Sequence, residues 1–182
     1  MEINQIWAFI PFYDTEGRGG EINADCTLVY LKDGTNKLCP SSIQAFKSSF
    51  ALDLGYPLQL LEAKAHDILC YKKHFPFVLS TSSCYIIVKT RDKQSKYDQV
   101  FGYIHLDAID SFKDSCIVLK NGTHIQTHST ASYVTQKIAA AKSLKNWLLL
   151  NNNCWLTGLR LSSFTKDWID IILEPYNPEQ QS

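Results

Sequence analysis

The sequence lacks any run of 18 or more apolar residues, which is the length that a membrane-spanning helix needs. Its first residues, Met-Glu-Ile-Asn-Gln, lack the positive charge and the following apolar segment of a secretory signal. We therefore expect a protein of the cytoplasm that has no membrane partner. With 45% hydrophobic and 20% charged residues over 182 positions, the composition excludes a disordered or fibrous chain and suffices for a sizeable core.

Sequence motifs of the common enzyme classes are also missing. There is no Gly-x-Ser-x-Gly elbow, no His-Glu-x-x-His motif and no glycine-rich phosphate loop. An enzyme would instead need a pocket that joins some of His66, His74 and His105. His124 and His128 share a face of a predicted strand, either as half a metal site or as two polar residues facing solvent. We predict no enzymatic activity, no metal and no cofactor.

No two cysteines have the Cys-x-x-Cys spacing of zinc and redox sites. The six cysteines are spread along the chain, at Cys26, Cys39, Cys70, Cys84, Cys116 and Cys154. An even number is also compatible with three disulfides, but only in an oxidising compartment. Because no signal directs the chain to such a compartment, we predict buried, reduced thiols.

Acidic residues are absent from 115 to 166, although the whole chain has 18 basic and 18 acidic residues and no net charge. That stretch has six lysines and arginines, and a second basic block, residues 64–96, has seven against two acidic residues. Two such blocks can form one basic face, to which a polyanion responds more strongly than to the net charge. Charges scattered over a solvated surface are the alternative.

Hydrophobic spacing predicts two helices and several strands. Apolar residues at helical spacing, ended by Gly55, predict a short helix over about 41–54. A longer apolar stripe predicts a helix over about 131–150, capped by Ser129 or Thr130. Strands are predicted at about 6–13, 27–32, 76–79, 84–90, 99–106, 115–120 and 123–128. We therefore expect an α+β fold, with an antiparallel β-rich body and the helices packed on the sheet.

Local signals refine this expectation. Asp33-Gly34 and Asn121-Gly122 predict hairpin turns. Pro11 suggests that the first strand lies at a sheet edge or ends there. Residues 58–79 are ambiguous, because leucines that suit a strand precede a segment of high helix propensity.

The C-terminal part of the chain predicts less structure. Residues 165–173 form an apolar segment that suggests a short C-terminal helix. Residues 174–182, with two prolines and two glutamines, suggest a flexible tail. Since no internal repeat or linker is visible, we predict a single domain over 1–173.

Basic side chains in the two blocks are the candidate contacts to nucleic acid. They lie in the polar loop around 91–96 and on the long helix, which has no acidic residue to neutralise them. The seven candidates are Lys89, Arg91, Lys93, Lys96, Lys137, Lys142 and Lys145. At about 100° per residue, the three helix lysines span roughly a third to half of the circumference and either meet phosphates or face solvent. No helix-turn-helix or leucine zipper accompanies them.

Several short motifs follow one another along residues 5–150. The first is Phe46-Lys47-Ser48-Ser49-Phe50-Ala51, with Gly55 four residues on. The later ones are His74 with Pro76, an apolar strand ending at Thr90, Gly102-Tyr103-Ile104, residues 117–119 with Asn121-Gly122, the Ser/Thr stretch 129–132, and Gln136 with Ala140. In this order they resemble the ComK family of bacterial competence transcription factors. Lys89 and Tyr103 depart from the family pattern, which has proline and tryptophan there.

The resemblance implies a DNA-binding activator of DNA-uptake genes. The family recognises paired A-rich and T-rich promoter boxes through the minor groove, as dimers that pair into a tetramer. Double-stranded DNA and further copies of the chain are therefore the expected partners. Lysine and arginine suit this mode, since a narrow A·T minor groove has an enhanced negative potential. An adaptor to a Clp protease is a further partner in the family, but its aromatic-Met-Leu-Tyr-Pro motif has only a faint counterpart at 172–176.

A protein-interaction module without DNA binding is the alternative function. An antiparallel sheet capped by a long helix is also a common scaffold for binding proteins. Such a regulatory module would show no affinity for A·T-rich duplex DNA at low salt, and this distinguishes the two hypotheses.

Overall fold

The computed structural model describes residues 5–14, 24–53, 55–70, 74–93, 96 and 98–150. Within these residues it contains two antiparallel sheets and three α-helices, which confirms the predicted α+β class. The predicted C-terminal helix at 165–173 and the tail at 174–182 lie outside the described residues. The single domain over 1–173 also extends beyond them and stays a prediction.

The larger sheet has six strands, each antiparallel to its neighbours. Their bounds are Ile6–Asp14 (β1), Ala24–Leu31 (β2), Asn36–Cys39 (β3), Phe77–Ser80 (β4), Ser83–Lys89 (β5) and Phe101–His105 (β6). They lie side by side in the order β3-β2-β1-β6-β5-β4. The centre of the sheet is thus formed by β1 and β6, which are far apart in the chain.

The central position of β1 shows that the edge-strand interpretation of Pro11 was wrong. β1 pairs with β2 along Ile6–Asp14, but with β6 only at Ala8 and Phe9. Pro11 lies beyond the β6 ladder, so its missing N–H is tolerated on that side. The prediction failed because β1 has a neighbouring strand on both sides over only part of its length.

The smaller sheet is a meander that follows directly on β6. A 3₁₀ turn at Leu106–Ala108 leads into three strands, Ile109–Lys113 (β7), Cys116–Leu119 (β8) and His124–Gln126 (β9). The Asn121-Gly122 turn joins β8 to β9 as predicted, and Gly122 has a φ of 82°, which glycine adopts without steric cost. β7 was not predicted, because its sequence Ile-Asp-Ser-Phe-Lys has only one β-branched residue.

The helices are Ile43–Asp53 (α1), Leu58–Leu69 (α2) and Ala131–Leu150 (α3). α1 and α3 confirm the two predicted helices. α2 resolves the ambiguous start of 58–79 as a helix whose buried face is Leu58, Leu61 and Ala65, so the prediction of one short helix was incomplete. Among the helices that the structure describes, none combines the length and the apolar character needed to cross a bilayer.

Helices cover both faces of the larger sheet. In β5, the ring of Tyr85 packs against Phe9 and Phe50, at centroid distances of 5.5 and 5.9 Å, on the face that α1 covers. The Sγ atom of the neighbouring Cys84 lies 3.8 Å from the carbonyl oxygen of Ala141 in α3. Since successive side chains of a strand point to opposite faces, α1 and α3 lie on opposite sides of the sheet.

The core under α1 is aromatic. Phe9 is fully buried, and its ring centroid lies between 4.9 and 6.2 Å from five others. These rings belong to Phe46, Phe50, Phe77, Tyr85 and Tyr103. Aromatic pairs in such tilted and edge-on arrangements stabilise a fold by about 0.5–1.5 kcal/mol each beyond area burial. The cluster joins α1 to the strands that lead to the basic loop.

Gly102 in β6 is tightly enclosed by side chains of its neighbours in the sheet. A Cβ atom at this position would lie 2.6 Å from Cγ2 of Ile10 and 2.9 Å from Cγ2 of Thr90. Both distances are shorter than carbon atoms tolerate, so only glycine fits here without displacement. The glycine therefore lets β1 and the end of β5 close around β6 just before the basic loop.

Candidate nucleic-acid interface

The end of β5 is joined by hydrogen bonds to the segment that precedes α3. The N–H of Lys89 donates to Oγ of Ser129 at 2.9 Å. The carbonyl oxygen of Lys89 accepts from the N–H of His128 at 2.8 Å and from Oγ1 of Thr127 at 2.7 Å. The basic loop that follows β5 therefore starts beside the N-terminus of α3.

One carboxylate contacts both a lysine and a histidine at this junction. Oδ1 of Asp92 lies 2.8 Å from Nζ of Lys89, and Oδ2 lies 3.2 Å from Nδ1 of His128. The hydrogen bond from Lys89 and the charge of His128 lower the pKa of Asp92 below its ordinary value. Since Asp92 is 71% exposed, another anion can reach the same two groups from solvent.

Arg91 is an anchor of the loop rather than an exposed cation. Its side chain is 19% exposed, and Nη2 lies 3.1 Å from Oδ1 of Asp25 in β2. Nε donates to the carbonyl oxygen of Gln99 at 2.8 Å, and the guanidinium lies 5.3 Å from the ring centroid of Tyr13. These contacts bind the two ends of the loop to each other and to β1 and β2. Arg91, one of the candidate DNA contacts, is thus tied into the fold through its guanidinium group.

Lys93 and Lys96 are both exposed to solvent. They follow the anchored residues Lys89 and Arg91, so the loop has a fixed base and an exposed cationic part. The loop thus combines partly buried residues that anchor it with exposed lysines that solvent can reach.

The three lysines of α3 have three different environments. Lys137 is 6% exposed, Nζ donates to the carbonyl oxygen of His74 at 2.9 Å, and burial lowers the pKa of this lysine. The interpretation that Lys137 lies on a solvated helix face was therefore wrong. Nζ of Lys145 lies 2.7 Å from Oδ2 of Asp107, whereas Lys142 is exposed.

The loop and the exposed part of α3 are not adjacent. Lys89 contacts Ser129 at one end of β5, and Cys84 contacts Ala141 at the other end. Cys84 and Lys89 are five positions apart on β5, which corresponds to about 17 Å at ~3.4 Å per residue. Lys142 is therefore about one strand length away from the loop, and the seven candidates do not form one cluster.

A cavity of about 320 Å³ lies at the base of the loop. Its lining residues are His74, Lys89, Phe101, His128, Ser129, Thr130 and Tyr133. The sequence predicted neither the contribution of His128 and Asp92 nor the cavity. The Asp92 carboxylate within the basic run was the one available signal, since an acid among lysines often pairs with one of them.

The histidines proposed as catalytic bases occupy separate places. The ring of His66 packs on Phe75, and the ring of His74 packs on Phe101 at a centroid distance of 4.3 Å. His105 lies at the opposite end of β6, where Nε2 is 2.9 Å from the carbonyl oxygen of Ser82 and Nδ1 accepts from the N–H of Asp107. Among the described residues, therefore, no pocket joins all three of these histidines.

The prediction that His124 and His128 share one face of a strand is wrong. β9 ends at Gln126, so His128 is not on the strand, and it contacts Asp92 instead. Nδ1 of His124 lies 3.8 Å from Sγ of Cys116. No group of three metal-ligating side chains occurs among the residues that the structure describes.

Five of the six cysteines fall within the described residues, and all five are free thiols. The prediction of burial is confirmed for Cys26 and Cys84 and is wrong for Cys70, which is exposed. Cys154 lies outside the described residues.

Comparison with known proteins identifies no relative of this chain. No family model matches it, and neither a curated protein nor a solved structure does. The resemblance to the ComK family therefore depends on the order of the motifs in the sequence alone.

Proposed function

We propose that the protein is a DNA-binding transcription factor that activates DNA-uptake genes by recognising A/T-rich promoter boxes through the minor groove. The genes, the boxes, the groove and the assembly into dimers or tetramers are taken from the resemblance to the ComK family. The contact surface is taken from the cationic loop after β5. The activity belongs to the cytoplasm, where such a promoter is accessible.

The observation that carries the proposal is the division of the loop into an anchored base and an exposed cationic part. Lys93 and Lys96 are exposed, and Arg91 fixes the loop through Asp25 and the Gln99 carbonyl. A lysine on a fixed base loses less conformational entropy when it meets a phosphate than one on an unanchored segment. The loop is therefore suited to bind a polyanion.

The proposed contacts differ from those expected from charge alone. Lys93 and Lys96 are the primary contacts, and Lys142 is a separate contact about 17 Å away, at the strand spacing given above. Three phosphate contacts per protomer predict that the logarithm of affinity falls with the logarithm of salt at a slope of about −2.7. Lys137 cannot reach a phosphate from its buried position, and Arg91 and Lys145 already pair with carboxylates.

The test is a fluorescence anisotropy titration of the full chain against A·T-rich and G·C-rich duplexes at two salt concentrations. We expect tighter binding to the A·T-rich duplex and a loss of at least tenfold when Lys93→Glu and Lys96→Glu are combined. Lys37→Glu is the matched control, because Lys37 is also exposed and lies on β3, opposite Val29 of β2. Val29 is four residues along β2 from Asp25, which anchors the loop, and this corresponds to about 14 Å, so the variant should change affinity less than twofold.

Two results would contradict the proposal. If the wild-type chain does not bind A·T-rich duplex at low salt, the protein-interaction module is the better hypothesis. If the double variant binds as the wild type does, the contact surface lies elsewhere on the molecule.

A variant of Asp92 tests the cation pair at the base of the loop. Asp92→Asn removes the carboxylate that holds Lys89 and His128, so both groups become available to a DNA phosphate. We expect tighter binding to both duplexes and a steeper salt dependence, measured in the same titration. Weaker binding, or an unchanged salt slope, would show that the pair takes no part in DNA contact.

A further inference from the structure

A second cavity, of about 300 Å³, lies between α1, α2 and the larger sheet, on the face away from α3. Its lining residues are Gln44, Lys47, Leu61, Glu62, His74, Phe75, Phe77, Ile87 and Tyr103. This volume is at the lower end of the range for pockets that hold small organic ligands. The DNA-binding hypothesis gives this cavity no role.

The unusual group in this cavity is a buried ammonium. Lys47 is 5% exposed, and Nζ lies 2.6 Å from Oε1 of Glu62. The same Nζ lies 4.9 Å from the ring centroid of Tyr103 and 5.3 Å from that of Phe77. Burying a lysine is costly unless its charge is paired, and here one carboxylate and two ring faces pair it.

The ion pair lies at the wall of an open space. Its two members differ in exposure, since the Lys47 side chain is 7% exposed and the Glu62 side chain is 43% exposed. Both line the cavity, together with Phe75 and Gln44. The pair therefore presents a hydrogen-bond donor and an acceptor next to each other at the cavity wall.

The charge balance of the cavity selects the class of ligand. A carboxylate or phosphate would bring a second negative charge beside Glu62, and a cation would be repelled by Lys47. A neutral planar ring avoids both costs and packs on the aromatic walls. If its edge has a carbonyl next to an N–H, the carbonyl accepts from Lys47 and the N–H donates to Glu62.

We propose that the cavity at the Lys47–Glu62 pair binds a small, neutral heterocycle with an adjacent carbonyl and N–H, the chemistry of an oxopurine base. The ligand would bridge α1 and α2 and close the exposed side of the ion pair. This inference uses none of the lysines proposed to contact DNA, although His74 lines both this cavity and the one at the base of the loop.

The test is isothermal titration of the full chain with three probes. Hypoxanthine has the required edge, purine has the ring without the carbonyl, and benzoate has a negative charge. We expect one site for hypoxanthine and at least tenfold weaker binding of purine and benzoate, since each lacks one feature that the pair recognises. Chemical-shift changes that hypoxanthine induces in the wild-type chain should map to Tyr103 and Phe77.

Two variants with tryptophan separate this site from unspecific binding. Gln44 and Ala45 are both exposed on α1, but only Gln44 lines the cavity. Gln44→Trp should fill the opening and abolish hypoxanthine binding, whereas Ala45→Trp should bind as the wild type does. Circular dichroism and thermal melting check that both variants fold.

The inference is overturned by any of three results. These are no detectable binding of hypoxanthine, equal binding of purine or benzoate, and unchanged binding in folded Gln44→Trp. If Gln44→Trp does not fold, the chemical-shift changes that hypoxanthine induces in the wild-type chain are the test. Shift changes at residues other than Tyr103 and Phe77 would then reject the site.

Discussion

Removing the Arg91 side chain should destabilise the whole fold, although this residue lies in a surface loop. The guanidinium donates to the Asp25 carboxylate at 3.1 Å and to the Gln99 carbonyl at 2.8 Å, and it covers the Tyr13 ring. Hydrogen bonds of a charged group stabilise proteins by about 1.5–3 kcal/mol each when they are buried. Partial exposure reduces this value, because water screens the charges: Arg91 is 19% exposed and Asp25 is 34% exposed.

The contacts together predict a loss of about 2 kcal/mol in the free energy of unfolding for Arg91→Ala. For a chain of this length, that loss lowers the melting temperature by roughly 4–8 °C. Urea unfolding followed by circular dichroism measures the free energy, and a double-mutant cycle with Asp25→Asn isolates the ion pair. We expect a coupling energy of about 1 kcal/mol in that cycle.

Lys93→Ala is the matched control, since Lys93 is an exposed lysine of the same loop. It should change stability by less than about 0.5 kcal/mol. If Arg91→Ala costs no more than Lys93→Ala, the anchoring role is refuted, and with it the division of the loop on which the proposed DNA contact depends.

Three further predictions concern pH and packing. Burial raises the pKa of the Cys84 thiol from 9.0 to about 12. The free energy of unfolding should therefore fall above pH 9 by about 1.4 kcal/mol per pH unit in the wild type, and it should fall less in Cys84→Ala. Burial lowers the pKa of His105 below 6.5, so the unfolded chain binds a proton more readily than the folded chain does. Stability should therefore fall as the pH drops below 6.5, and it should fall less in His105→Gln. Gly102→Ala should cost about 1–3 kcal/mol in urea unfolding, because its Cβ would overlap Ile10 and Thr90.

Local features of the fold were predictable from the sequence because they depend on neighbours in the chain. The 41–54 and 131–150 helices follow from apolar spacing, and the turn at Asn121-Gly122 follows from the positive φ that glycine permits. The strand order was not predictable, since the pairing of β1 with β6 joins residues more than ninety positions apart. Periodicity alone says nothing about such a pairing.

The candidate site was predictable only in part, for a similar reason. The sequence indicated which residues are basic, but their partners are distant in the chain: Asp25 for Arg91, and Asp107 for Lys145. Lys137 shows this most clearly, because it lies on the apolar stripe of α3, three residues after Val134 and four before Ala141, and is buried there with Nζ on the His74 carbonyl. Charge counts therefore identify a basic region but do not separate its structural cations from the exposed ones.

The motifs that suggest the ComK family are mostly part of the core. Phe46, Lys47 and Phe50 are buried on the inner face of α1, and Tyr103 and Ile104 are buried in β6. Core residues are constrained by packing, so a resemblance in these positions is an argument about the fold more than about DNA contact. The residues proposed to meet DNA, in contrast, lie on the surface, where the motifs offer no guidance. The titration of the loop variants therefore tests the function on evidence that is independent of the resemblance.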